Sequence, residues 1–342
     1  MPMRHRLLAI TVAAFWGINF IAIHYSLETF PPFLCAALRF GLIAIPTVLL
    51  VPRPNVEWRW LVGFGIGFGF LQFAFLYWGM AAGMPAGLAS LVLQASAPFT
   101  VVLGAVFLRE RLTPVRFAGI AIAVIGLAVV GWEQSENAAI LPFLLTLAGA
   151  LGWAIGNVCN RQARAADPLR LTLWMSVIPP VPLLIVSLVV ERPARIEAAL
   201  REGASLDGLP ATLGLLYTIV IATLAGSGIW TWLMTRHPAG VVAPFSMLVP
   251  VFGMSAAWIV LGQAVTPIEA VGGVLVVGGV LLGSAVRKSR RAGVDVTPPA
   301  VAQDDGTALA ATTSIRGMHE VDDRSPAVPR GVDACGTVGH LR

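Results

Sequence analysis

The sequence predicts an all-α membrane protein of ten transmembrane helices in a 5+5 inverted repeat, on three observations: a charge-poor composition, evenly spaced apolar runs and a repeat at a fixed offset. Of the 342 residues, 57% are hydrophobic and only 12% charged, about half the roughly 25% charge of a soluble domain. Apolar runs recur as far as about Val286, and beyond it aspartate, proline and threonine cluster with few large hydrophobes. Ten spans of roughly 20 residues each fill the first 286 positions and leave no separate catalytic domain. Unpaired peptide groups are too costly in hydrocarbon, so only helices and closed barrels can span it. Barrel strands of about 10 alternating residues do not match continuous runs near twice that length.

The helices are read at 7–26, 33–51, 60–82, 85–108, 112–131, 138–159, 168–190, 211–235, 238–261 and 265–286. The first begins after the basic RHR and imitates a signal peptide, but it lacks a small-x-small cleavage site and is read as uncleaved. The second carries Arg39 between PPFLCAAL and FGLIAIP, and the third a run of spaced glycines, Gly63, Gly65, Gly67 and Gly69, suited to close packing. The short connector GMPAG leads into the fourth, which holds Gln94 and Pro98, and RERLTP at 109–114 joins it to the fifth. The sixth bears Trp153, Gly156 and Asn157, while after the seventh the charged segment 187–210 reads as an external loop with a short surface helix around 193–201. The ninth contains Pro244, Ser246 and Pro250, and the tenth contains Gly272 and the pair Gly279 and Gly283.

Charge sets the expected orientation. With the N-terminus inside, the inner segments collect fifteen basic residues, among them Arg4, Arg59, Arg109, Arg116, Arg161 and Arg236, against three outside, Arg192, Arg195 and Arg201. That asymmetry follows the positive-inside rule and places both termini on the inner side of the membrane. The net charge of +5 is dispersed among these connectors rather than gathered on one face, so nucleic acid is not the expected partner. Cys35, Cys159 and Cys335 have neither zinc nor disulfide spacing.

At an offset of 153, Ala86 and Gly87 match Ala239 and Gly240, Thr113 and Pro114 match Thr266 and Pro267, and Gly119 and Gly126 match Gly272 and Gly279. Helices four and five therefore correspond to nine and ten, and a weaker likeness links Trp16 and Asn19 with Trp153 and Asn157. Five helices separate the copies, an odd number, so the second is inverted: 7–131 and 138–286 form the repeats, and 287–342 a disordered cytoplasmic tail. Two such halves can expose one cavity alternately to each side, as secondary transporters do. The alternatives are a membrane receptor or scaffold. No catalytic or metal-binding constellation, cofactor motif or phosphate loop is present in the sequence, so an enzyme or ATP-driven pump is not expected.

Polar residues in apolar helices are candidates for a substrate cavity: Trp16, Asn19, Arg39, Gln72, Gln94, Ser96, Asn157 and Ser246. Hydrogen bonding between helices is the competing role for the amides, and core packing for Trp16. An arginine at the depth of Arg39 is expensive unless hydrated or paired, and it either receives a substrate carboxylate or pairs within the bundle. Pro98, Pro244 and Pro250 break helix hydrogen bonding at sites suited to gating. Glu110 either pairs with an inner arginine to hold one gate state or is simply solvated. No carboxylate lies mid-membrane, which leaves an embedded proton relay unsupported.

The segments AFWGINF at 14–20, LRF at 38–40, QFAFLYWGM at 72–80, GMPAGLASLVLQASAPFT at 83–100 and VAPFSMLVPVFG at 242–253 resemble EamA-domain members of the drug/metabolite transporter superfamily, most closely bacterial O-acetylserine/cysteine exporters. The resemblance implies efflux of an amino-acid-like small molecule across the lipid bilayer of a bacterial inner membrane, with transport of another small organic solute as the alternative, marks Asn19, Arg39, Gln72 and Gln94 as family positions, and admits a homodimer. Two departures stand out: Ser96 replaces a glutamine typical of the similar exporters, and GQAVTP at 262–267 lacks an acidic residue typical after the ninth helix.

Overall fold

The computed structural model describes residues 1–110, 112–136 and 140–284. All of them belong to one unit, Met1–Lys288, and the expected tail 287–342 lies outside them. Among the described residues nine helices are long and apolar enough to cross a membrane, followed by a shorter apolar helix, Pro267–Gly283. We label them α1 (Met3–Thr29), α2 (Pro32–Leu50), α3 (Trp58–Ala81), α4 (Ala86–Leu108), α5 (Pro114–Glu136), α6 (Ile140–Ala163), α7 (Pro168–Val190), α8 (Leu209–Arg236), α9 (Gly240–Leu261) and α10 (Pro267–Ser284). A surface helix, Pro193–Gly203, lies between α7 and α8. Large apolar side chains such as Leu50, Val189, Ile259 and Val274 point outward, as expected of a lipid-facing surface.

Besides an interruption of α7 at residues 176–179, four helices change type along their length. Gly65–Leu71 of α3 and Tyr217–Gly226 of α8 are π-helical, and Leu93–Ala95 of α4 and Ala243–Leu248 of α9 tighten to a 3-10 helix. Pro98 has no N–H for the carbonyl of Gln94, and Pro250 none for that of Ser246, which accounts for the tightened turns. The distortions fall at matching places under the 153-residue offset, and so do the helix ends. Arg109 (φ 54°) and Gly262 (φ 67°) both cap in the left-handed region. The next N–H closes back in each case, Glu110 to Gly104 O at 3.3 Å and Gln263 to Ala257 O at 3.2 Å. The helices that follow also start alike, with Thr113 Oγ1 accepting from Arg116 N (3.3 Å) and Thr266 Oγ1 from Glu269 N (3.1 Å).

Packing repeats the same exchange. Helix α1 packs on α8 and α9, whereas α6 packs on α3 and α4, and α5 lies along α10. The last pair meets glycine to glycine. A Cβ at Gly119 would stand 2.6 Å from Gly279 O, and one at Gly126 2.7 Å from Gly272 O, so the two helices run antiparallel. The contact of Gly119 with Gly279 becomes that of Gly272 with Gly126 when both members shift by the offset.

One buried carboxylate does not belong to any loop exchange with solvent. Glu191, at the end of α7, accepts hydrogen bonds from Phe33 N (2.6 Å) and Leu34 N (3.0 Å) in the first turn of α2 and from Ser187 Oγ (2.6 Å). These N–H groups have no carbonyl partner within their own helix, and the helix dipole favours an anion there.

Candidate functional site

Two polar regions interrupt the apolar bundle. The deeper one is built on Arg39 of α2, which is 5% exposed. Its guanidinium donates to Tyr77 OH of α3 (3.1 Å) and to Thr223 Oγ1 of α8 (2.9 Å), and its Cζ lies 4.2 Å from the Phe73 ring centroid. Thr223 sits in the π-helical turn, where its hydroxyl also donates to Thr218 O. Among the described residues no carboxylate pairs with Arg39, and its Nε is buried without a partner. A buried cation costs several kcal/mol, and neutral hydroxyls and a ring face offset part of this while leaving the charge uncompensated. The chemistry such a group completes is with an anion, and a carboxylate fits the guanidinium fork. Asn19 Oδ1 and Gln72 Oε1 are likewise buried without partners.

The second region is a cavity of about 560 Å³, within the range of small-molecule sites. Its wall is formed by Ala97, Pro98, Thr100 and Val101 of α4, Glu110 of the connector that follows, Arg116, Gly119, Ile120 and Ala123 of α5, and Arg161 of α6. Gly240, Ala243 and Pro244 of α9 and Gly279, Val280 and Gly283 of α10 complete it. The left-handed cap at Arg109 turns the chain so that Glu110 folds over Gly104, where a Cβ would come within 3.2 Å of its carboxylate. From there Glu110 forms an ion pair with Arg161. Asn157, one turn before Arg161, donates to Thr100 Oγ1 at 3.1 Å.

Of the residues singled out from sequence, Pro98, Pro244 and Glu110 line this cavity, while Trp16, Asn19, Arg39, Gln72, Gln94, Ser96, Asn157, Ser246 and Pro250 do not. Trp16 spends its indole N–H on Ala222 O (2.9 Å) and packs on Trp230, bridging α1 to α8. Gln72, Gln94 and Ser96 are buried, and Ser96 O accepts from Thr100 Oγ1 at 2.6 Å. Ser246 Oγ bonds back to Ala243 O (2.7 Å) in the tightened turn of α9, and Pro250 is buried. Thr100, Arg116 and Arg161 line the cavity without having been singled out, because sequence alone read the two arginines as markers of orientation. A second missed feature had a legible signal: Thr266 and Glu269 form a reciprocal capping box, with Glu269 Oε2 accepting from Thr266 N at 3.0 Å.

An all-α, multi-span bundle with paired helix distortions and a cavity carrying Glu110, Arg116 and Arg161 has the architecture of a membrane transporter. The chain belongs to the EamA-like transporter family, whose model matches residues 4–132 and 140–285. It is 40% identical over 300 residues to a protein of Salmonella typhimurium described as a probable amino-acid metabolite efflux pump, covering 85% of this chain and 99% of that one. The protein of Escherichia coli with the same description is 39% identical over 288 residues, covering 82% and 95% of the two chains. A probable terminal-alkyne amino-acid exporter of Streptantibioticus cattleyicolor is 26% identical over 211 residues, 60% of this chain and 66% of its own.

Proposed function

We propose that this chain is an alternating-access exporter of amino-acid-like metabolites, of the cysteine and O-acetylserine kind, in a bacterial inner membrane. Its ten helices work as two inverted halves, 7–131 and 138–286, with both termini in the cytoplasm. The observation that carries this reading is the recurrence, at one offset, of the same distortions and caps in α3, α4, α8 and α9, together with the antiparallel exchange of glycines between α5 and α10. Halves that share their breaks and differ in direction can swap conformations about a central site. The description of the Salmonella and Escherichia relatives supports amino-acid metabolites as the solute class, and the uncompensated charge on Arg39 supports a carboxylate-bearing solute. Positive-inside asymmetry supports the orientation.

Purified protein in liposomes, assayed for uptake and counterflow of labelled cysteine, O-acetylserine, threonine and a wider metabolite panel, tests the proposal. Counterflow of at least one carboxylated amino acid is expected; no flux with either membrane polarity across the panel defeats it.

A further inference from the structure

We propose that the cavity lined by Glu110, Arg116 and Arg161 is a loading site for zwitterions, in which an amino acid replaces the internal ion pair with its own two charges. The α-ammonium takes the place of Arg161 at Glu110, and the α-carboxylate takes Arg161 together with Arg116. This deepens the transport reading and rests on it for the identity of the solute.

Three observations meet here. First, the Glu110–Arg161 pair is half in solvent, the side chains 40% and 50% exposed, so it is held weakly and is open to exchange. Second, Arg116 lines the same cavity and has no ion-pair partner among the described residues, which leaves two guanidinium groups against one carboxylate. Third, the cavity has the volume of a small-molecule site and apolar walls, including Val101, Ile120 and Val280, able to take a side chain.

Charge balance then selects the ligand. A simple anion that draws Arg161 away leaves Glu110 facing a lost partner, and a simple cation does the reverse to Arg161. A simple anion can instead rest on Arg116 with the pair closed, whereas a solute that carries both charges on one carbon separates the pair and satisfies each member. Its binding also has a mechanical consequence, because Glu110 follows α4 and Arg161 ends α6, so a solute inserted between them parts the link across the two proposed halves.

At the opposite end of the bundle the matching position is neutral. Gln263 occupies the position matching Glu110 and accepts a hydrogen bond of 3.5 Å from Gly87 N, a neutral contact with no charge to exchange. The charged pair stands at the arginine-rich mouth and a neutral contact at the matching position, the asymmetry a solute loaded from inside requires.

The experiment measures equilibrium binding to the full chain in nanodiscs at neutral pH. The probes are the protein amino acids and O-acetylserine, each as the zwitterion, the anionic N-acetyl derivative and the cationic methyl ester. For whichever amino acid binds, the zwitterion is expected to bind about tenfold or more tightly than either derivative, the size of one hydrogen bond to a charged group. Glu110→Gln should abolish the preference over the N-acetyl form, and Arg161→Gln the preference over the methyl ester. The double exchange Glu110→Arg with Arg161→Glu should restore a preference for the zwitterion and guards against misfolding of the single variants. Equal binding of the three forms, or preferences unmoved by the variants, overturns the loading site while counterflow of the unmodified protein leaves the transport reading standing. No binding and no flux overturns both.

Discussion

Replacing Gly279 by alanine should destabilise the protein, whereas replacing its neighbour Gly278 should not. A Cβ at Gly279 would stand 2.5 Å from Ala123 N and 2.6 Å from Gly119 O. Both are backbone atoms of α5, and ordinary contact begins at 3.4 Å, so α5 and α10 must separate by about 0.9 Å to admit the methyl group. That movement would loosen the second glycine contact, between Gly126 and Gly272, along the same interface. Overpacking of this kind costs about 1 to 3 kcal/mol, or more where backbone must move. Removing a glycine from a helix interior returns about 1 kcal/mol, so a net loss of up to about 2 kcal/mol is expected. At Gly278 a Cβ meets nothing within 4 Å, and only the gain of up to about 1 kcal/mol remains. Thermal unfolding of the two purified variants in one detergent should give shifts in midpoint of opposite sign. Gly126→Ala, where the Cβ would lie 2.7 Å from Gly272 O, should behave like Gly279→Ala. Equal shifts at Gly278 and Gly279, or a tolerated Gly126→Ala, would refute the close glycine seam.

Further outcomes follow from the polar contacts and caps. Arg39→Lys presents one ammonium where a guanidinium reaches Tyr77, Thr223 and the Phe73 face together, so the half-saturating concentration for carboxylated solutes should rise about tenfold or more while the protein stays inserted; unchanged affinity defeats the carboxylate role. Glu191→Gln turns an amide NH₂ toward the N–H of either Phe33 or Leu34, each of which donates to a different carboxylate oxygen, and should cost about 1.5 to 3 kcal/mol in chemical denaturation, with a neutral result excluding the buried cap. The left-handed caps should answer in opposite senses: Gly262→Ala should lose about 1 kcal/mol, and Arg109→Gly should gain about 0.5 to 1 kcal/mol in the same unfolding assay. A stabilised Gly262→Ala would contradict the cap geometry.

The sequence by itself determined the spans, because hydrocarbon offers the backbone no partner but its own helix. The runs read at 85–108 and 168–190 are Ala86–Leu108 and Pro168–Val190 in the structure, and the surface helix read around 193–201 is Pro193–Gly203. The recurrence at an offset of 153 was legible for a related reason: close-packing glycines and Thr-Pro helix starts are local demands, and both segments carry them at the same spacing. Partnership among polar side chains was not legible, since it depends on helix rotation and on which neighbours approach. Arg39 and Thr223 are 184 residues apart, and Trp16 and Ala222 are 206 apart. Arg161 illustrates the divide. Read along the chain it is one more inner positive charge, and only the approach of α6 to the end of α4 makes it the partner of Glu110 on the wall of a cavity. Tertiary packing alone decided that, because a charge near the mouth of a bundle takes its role from the opposite charges brought within reach.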